Sequence, residues 1–273
     1  CAMGETADMS GECASRTNLE MPDVQHELLA ELAKTGKPVV LLNFAGRPTV
    51  LSWEKEHIPA IMNVWFGGSE VGDALCDVIF GDKVPSGKLT TSMPKTTGQE
   101  PLYYNHQNTG RPVPDDNQKF AKFASNCLDV SNGPLYPFGY GLSYTTFEYG
   151  DLKLSSQEAC INENQETTEW QDGKKITATI TVKNTGSRDA DEIVQLYIRD
   201  LVASISRPVK ELKGFQRIHL AAGESKVVSF DITPDMLKFY NAELKHVIEP
   251  GDFQIMIGAN SKEVKTMNLT VKN

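Results

Sequence analysis

Lys37-Pro38-Val39-Val40-Leu41-Leu42-Asn43 is the stretch whose reading decides the fold. It is apolar without a break from Pro38 to Leu42, so a strand built from it needs cover on both faces, as in parallel sheets. Upstream, Pro22 to Lys34 carries Val24, Leu28, Leu29 and Leu32 at helical spacing, and Gly36 ends the turn. Those four side chains are expected to face the core. Downstream, Leu51 to His57 reads as a short helix and Ala60 to Phe66 as a second buried strand. Gly67-Gly68-Ser69-Glu70 then opens a helix that should turn Val71, Ala74, Leu75, Val78 and Ile79 inward. Lys88 to Ser92 reads as a last short strand, and Cys1-Ala2-Met3 as the tail of a strand that starts further upstream. Helices alternating with strands specify an α/β layer on a parallel sheet.

Composition narrows the function. With 273 residues, 40% hydrophobic and 23% charged, the chain is ordinary for globular proteins and long enough for two domains. A net charge of -9 argues against nucleic acid as a partner, because phosphate backbones are bound by clustered Lys and Arg. No apolar run reaches the roughly 18 residues of a membrane span. The cysteines are Cys1, Cys13, Cys76, Cys127 and Cys160. Their odd number and lack of CxxC spacing point to neither a metal site nor a disulfide framework, although a Cys13–Cys127 or Cys127–Cys160 bridge stays open. No phosphate-cradling GxGxxG sits between a strand and a helix, so a nucleotide-binding reading fails and no cofactor is called for. The chain starts at Cys1 without a signal peptide and reads as a fragment, so a missing targeting segment carries little weight.

After Tyr149 the pattern changes to alternation. Ile176, Ala178, Ile180 and Val182 share one strand face, and Val194, Leu196 and Ile198 another. Val228-Phe230-Ile232, Phe253-Ile255-Ile257 and Met267-Leu269-Val271 repeat the theme between turn signals such as Asn184-Thr185-Gly186. This reads as a β-sandwich of about 100 residues with a structural or docking role. Between the two patterns, Glu100 to Leu135 has no period, and Tyr103-Tyr104-Asn105-His106-Gln107-Asn108 offers the ring faces and amides that sugar surfaces need. An interdomain linker explains it equally well. The acidic, amide-rich Gln157 to Asp172 reads as a mobile surface loop.

In parallel sheets, ligands bind beyond the carboxyl ends of the strands. Three loops leave such ends: Gly4 to Arg16, Asn43 to Arg47 and Trp65 to Glu70; they should meet at one edge. The first contains two Gly-Glu pairs seven residues apart, Gly4-Glu5 and Gly11-Glu12, with Arg16 close behind. A loop of Gly, Ser and Ala can hold a carboxylate toward a substrate, as acid/base chemistry requires. The plain alternative is a solvated loop before a helix start. Glu70 reads as a helix-start acid, His106 as a loop histidine, and Asp8 has no motif behind it.

The residues that remain resemble glycoside hydrolase family 3, and within it the periplasmic β-glucosidases of bacteria. The resemblance rests on Ser10-Gly11-Glu12 with Arg16, Leu19-Glu20-Met21-Pro22, Gly46-Arg47-Pro48 and Trp65-Phe66-Gly67-Gly68-Ser69-Glu70. Phe80-Gly81-Asp82 with Pro85-Ser86-Gly87-Lys88-Leu89, and Arg207-Pro208-Val209-Lys210-Glu211-Leu212-Lys213-Gly214-Phe215, extend it. Its strongest part is Tyr136-Pro137-Phe138-Gly139-Tyr140-Gly141-Leu142-Ser143-Tyr144-Thr145-Thr146-Phe147. The resemblance implies a partial α/β sandwich domain over 1–125, a linker over 126–150 and an all-β fibronectin type III-like domain over 151–273. It implies a missing N-terminal barrel domain that carries the nucleophile, an oligosaccharide or glycoside as substrate, and a periplasmic or secreted location.

The family's reaction resembles the retaining two-carboxylate scheme, with carboxyl groups about 5 to 5.5 Å apart. The acid/base commonly sits in a Ser-Gly-Glu run ahead of an Arg, which the resemblance carries over to Glu12; Glu5, directly at the strand end, is the rival. Cys13 departs from the Gly or Ala of many relatives. Arg16 is expected to anchor the loop to the sheet rather than pair with Glu12, because a close pairing would favour the charged form and suit a base better than an acid. The activity implied is that of an exo-acting β-glycosidase, with β-glucosides first among the substrates; the alternative is a non-catalytic carbohydrate-binding or interaction module.

Overall fold

A computed structural model describes residues 1–112, 122–161, 170–171 and 175–273. These fall into two compact units, one of residues 1–83, 91–103 and 122–137, the other of 84–90, 104–112 and the described residues from 138 on.

The first unit is built on a three-stranded parallel sheet. Its strands are β1 (Ala2–Gly4), β2 (Val40–Phe44) and β3 (Ala60–Asn63), in the order β1-β2-β3. Helices α1 (Asp23–Lys34), α2 (Ser52–His57) and α3 (Val71–Phe80) complete it. The central strand is covered more on one face than on the other: Leu41 and Asn43 are buried, while Val40, Leu42 and Phe44 are half-buried. β3 is an edge strand with no buried residue, not the buried strand its composition suggested. The core cluster is Met21, Leu29, Val39, Leu41 and Ile58, with Leu32, Ala33, Trp53 and Ile61 packed on it.

Two helices differ from their sequence reading. In α1 only Leu29 is fully buried, while Val24 and Leu28 are 78% and 52% exposed. The inward stripe is Gln25, Leu29, Leu32 and Ala33, because the Gln25 amide joins the open edge of β1. It accepts from the Gly4 N–H at 2.7 Å and donates to the Gly4 carbonyl at 3.0 Å. In α3 no residue is buried, and Ile79 and Phe80 are exposed. Lys88 to Ser92 forms no strand. In the second unit Leu89 exchanges backbone hydrogen bonds with Tyr140 and Gly139, and in the first Met93 bridges to Tyr136.

The second unit holds β4 (Phe147–Tyr149), β5 (Lys153–Leu154), β6 (Glu158–Cys160), β7 (Ile176–Asn184) and β8 (Ala190–Asp200). It continues with β9 (Glu211–Leu220), β10 (Ser225–Ile232), β11 (Phe239–Tyr240), β12 (His246–Val247), β13 (Gly251–Gly258) and β14 (Val264–Lys272). One sheet runs β10-β7-β4 with β5 on β7, and the other runs β6-β14-β13-β8-β9. Their facing residues form one core in which every apolar alternation named above takes part, with Met267 only partly buried.

Strand β8 is more covered than alternation predicts, since Gln195 and Tyr197 on its other face are buried too. Gln195 satisfies its amide by donating to the Gly139 and Ala259 carbonyls at 3.0 and 2.6 Å and accepting from the Tyr197 hydroxyl. The acidic Gln157–Asp172 segment is not all surface loop. Its described part forms β6, paired in parallel with β14, and buries Ile161 and Trp170; residues 162–169 and 172 lie outside the described residues. All five cysteines are free, so neither proposed bridge forms.

Candidate active-site edge

The three loops that leave the carboxyl ends of β1, β2 and β3 do converge. Gly46, just past β2, lies so close to the first and third loops that a Cβ there would stand 1.9 Å from Ser10 Oγ and 2.9 Å from the Phe66 ring. A side chain at 46 would displace the Ser10 hydroxyl and the Phe66 ring.

Glu5 follows β1 and extends its ladder, its N–H donating to the Phe44 carbonyl at 2.7 Å. Its side chain, 1% exposed, turns inward between two arginines that are each 18% exposed. Arg16 Nη1 donates to Glu5 Oε1 at 3.0 Å, and Arg47 Nε lies 2.9 Å from the same oxygen. The latter contact is an ion pair without hydrogen-bond alignment, as the Nε–H is not aimed at the oxygen. Gly46 N–H donates to Glu5 Oε2 at 3.0 Å. A buried carboxylate needs such partners to stay in place.

Arg16 thus pairs with Glu5 and not with Glu12, and its Nη2 also donates to the Glu20 carbonyl at 3.2 Å. It anchors the loop, as its place in the sequence suggested.

Glu12 is placed differently. It sits in the four-residue turn Gly11-Glu12-Cys13-Ala14, closed by Ala14 N–H to Gly11 O at 3.3 Å. Glu12 is exposed, and among the described residues it forms no ion pair. The turn needs positive φ at Gly11 (113°) and at Cys13 (60°), the latter an uncommon conformation for a residue with a Cβ. Trp65, in the third loop, is likewise held at φ 56°. Two of the four positive-φ residues other than glycine among the described residues therefore lie on this one edge, and such outliers gather where geometry serves function.

Below the edge, buried Asn43 donates to Thr49 Oγ1 at 3.0 Å and to Asn63 Oδ1 at 2.8 Å, joining β2 to β3 where their loops depart.

The remaining candidates are accounted for one by one. Asp8 is exposed and accepts from the Thr6 hydroxyl, a bond that holds its carboxyl below the usual range and so in the charged form. Glu70 precedes α3, exposed and without a capping hydrogen bond. His106 belongs to the second unit, where its carbonyl accepts from Val209 N–H and its Nδ1 lies 2.9 Å from the Gln107 carbonyl. Tyr104, expected to offer a ring face to sugar, instead stacks on Phe138 at 4.2 Å and accepts the Leu212 N–H. In the second unit the buried Glu192 is tied to Lys88 Nζ at 3.1 Å and to the Tyr149 hydroxyl at 2.8 Å. Burial, and secondly Glu192, push that tyrosine's pKa up. Among the described residues no group of three or more His, Cys, Asp or Glu could hold a metal, and no helix is long and apolar enough to cross a membrane.

Sequence reasoning used Gly46-Arg47-Pro48 as a tag but missed what Arg47 and Ser10 do. The available signal was position: an arginine three residues past the end of a central parallel strand faces the same edge as the loop after β1.

This edge, with one carboxylate locked and another free, sits on a chain whose relatives are known. The chain belongs to glycosyl hydrolase family 3: the family's C-terminal domain matches residues 1–144, and a fibronectin type III-like domain matches 192–261. It is 48% identical to the periplasmic beta-glucosidase of Salmonella typhimurium over 263 residues, which is 96% of this chain and 33% of that protein. It is 42% identical to a beta-xylosidase of Formosa agariphila, over 99% of this chain and 35% of that protein. Among solved structures, a beta-glucosidase from Listeria innocua in complex with glucose superposes with a TM-score of 0.89 at 39% identity, covering 100% of this chain and 36% of that one. The chain therefore spans about a third of the length of these relatives.

Proposed function

We propose that this chain is the C-terminal portion of a retaining, exo-acting β-glycosidase and that Glu12 is its acid/base. The observation that carries the reading is the contrast between the two Gly-Glu carboxylates. Glu5 is buried and held by Arg16, Arg47 and the Gly46 N–H, so it is not free to give up or take a proton at a substrate. Glu12 stands exposed at the tip of a turn. In the reaction Glu12 protonates the glycosidic oxygen as the bond to the anomeric carbon breaks, then takes a proton from the water that releases the sugar from the nucleophile.

The nucleophile belongs to a barrel portion of the whole protein, and the partial α/β sandwich of 1–125 presents Glu12 to it. Residues 126–150 act as linker and 151–273 as the fibronectin type III-like domain. The substrate is an oligosaccharide or glycoside with a terminal β-linked sugar. Glucose is the first choice, and the beta-glucosidases among the relatives support it. The Salmonella typhimurium relative's periplasmic location supports a periplasmic or secreted protein. By itself the chain is inactive and serves at most as an interaction module.

In the whole protein, Glu12→Ala should slow glycosides with poor leaving groups by about 100-fold or more while sparing activated aryl glycosides, and azide should restore part of the loss. If Glu5→Ala gave this pattern and Glu12→Ala did not, the assignment is reversed. The purified 273-residue chain should not hydrolyse an aryl β-glucoside. Turnover by it would place both carboxylates within these residues and end the two-part reading.

A further inference from the structure

We propose that Arg47 is the positioning residue for Glu12, with Glu5 as the counter-ion that fixes Arg47; the inference rests on the reading of Glu12 as acid/base. The turn carrying Glu12 has one internal backbone hydrogen bond, and that one is long, 3.3 Å from Ala14 N to Gly11 O. Such a turn alone does not hold a carboxylate to the fraction of an ångström that proton transfer demands.

Arg47 supplies what is missing. Its Nη2 donates to the Met9 carbonyl at 2.5 Å and to the Ala14 carbonyl at 2.9 Å, the two carbonyls that flank residues 10–13. One guanidinium nitrogen thus closes the base of the loop from both sides with charge-assisted hydrogen bonds. Arg47 leaves from the end of the central strand β2, so the clip ties a loop of β1 to the most enclosed strand of the sheet.

The guanidinium is in turn held by Glu5. The carboxylate lies 2.9 Å from Nε and takes the neighbouring Gly46 N–H, which fixes the backbone from which Arg47 departs. Arg16, on the same Glu5 oxygen, restrains the loop's far end. Glu5, placed by sequence as a rival acid, becomes the pivot of the clamp on Glu12. Ser10, lodged against Gly46, fixes the near side of the turn.

The test uses the whole protein with two substrates, an activated aryl β-glycoside and a glycoside with an alkyl or sugar leaving group. Arg47→Ala should lower kcat on the poor leaving group about 100-fold more than on the aryl glycoside, leave KM within about twofold, and respond to azide as Glu12→Ala does. Arg47→Lys keeps the charge beside Glu5 but cannot offer the planar fork, and should shift the ratio about tenfold in the same direction. An arginine that only stabilised the fold would lower both substrates alike and show no azide response.

If Glu12→Ala shifts the ratio and neither Arg47 variant does, the positioning role is overturned and the reading of Glu12 stands. If Glu12→Ala leaves the ratio unchanged, the reading of Glu12 falls and this inference with it. Should Arg47→Ala fail to fold, Arg47→Lys carries the kinetic test. Hydrogen exchange adds an independent arm: Arg47→Lys should speed exchange over residues 9–16 about tenfold, and unchanged exchange there overturns the clip.

Discussion

The two units bury their interiors in different ways. Among the described residues the core of the second unit contains 22 buried apolar side chains, most of them from two sheets, while the main cluster of the first contains five. Both units also enclose polar groups, Asn184, Glu192, Gln195 and Asp200 in the second and Glu5, Asn43, Thr49 and Glu54 in the first, but in the first they stand beside a far smaller apolar cluster, and Glu54 lies 3.2 Å from His26 Nδ1. Meanwhile Val24, Leu28, Ile79 and Phe80, apolar and on its helices, stay exposed. A core of many apolar contacts spreads stability over many side chains, the larger of them worth a few kcal/mol each. A unit held by a few buried polar clusters concentrates it, because an unpaired buried charge is far costlier than a lost methyl group. The second unit thus rests mainly on apolar packing, and in the first a few buried polar groups carry a larger share.

The largest expected effect probes the apolar core of the second unit. Phe253→Ala removes a fully enclosed ring from β13 and should cost about 3 to 5 kcal/mol, read as lost hydrogen-exchange protection in β8, β13 and β14. A loss below about 1 kcal/mol would show that this core is loosely packed. The next effect probes the other kind of interior. Glu5→Gln keeps the shape but leaves Arg16 and Arg47 facing a neutral amide, and should cost the first unit about 3 kcal/mol by urea denaturation followed through exchange in β1 and β2. A neutral outcome would erase the contrast, since the polar cluster would then hold no more than its surroundings do.

The same contrast explains what the sequence could say. Period-two alternation in β7, β10 and β14 was legible because a sheet with one buried face writes its burial directly into the residue order. The parallel sheet was legible from the apolar run around Leu41, and the convergence of three loops followed from strand direction. What escaped is polar and non-local. That Arg47 would reach back 38 residues to Met9 is a matter of side-chain reach across a sheet edge, and no periodicity records it. The inward stripe of α1 was misjudged for a related reason: Gln25 replaces an apolar residue at the edge of β1, and a hydrophobic pattern cannot see an amide acting as a strand neighbour. Glu5 and Glu12 share the motif Gly-Glu, and the arginines around Glu5 give the two carboxylates different surroundings.

The smallest effect tests a charge cluster that should matter little, on the surface of the second unit. Asp191 of β8 stands directly across from His219 of β9 and accepts from its Nδ1 at 2.8 Å, while Arg217 Nη2 lies 2.6 Å from the other oxygen. The His219 hydrogen bond first, and Arg217 after it, hold the Asp191 carboxyl below its usual 3.8. A carboxyl with a folded pKa below its unfolded one stabilises the fold above the unfolded value and loses that share as pH falls through the folded value. Both partners are largely exposed, so solvent screening limits the gain to about 0.5 kcal/mol. Asp191→Asn should therefore be slightly less stable than the parent chain at pH 7, and the two urea curves should converge as pH drops below 3.8. A gap that persisted undiminished into that acid range would trace to packing on β8 and not to charge. A gap at pH 7 as large as that of Glu5→Gln would mean that exposed ion pairs hold this chain together as firmly as buried ones.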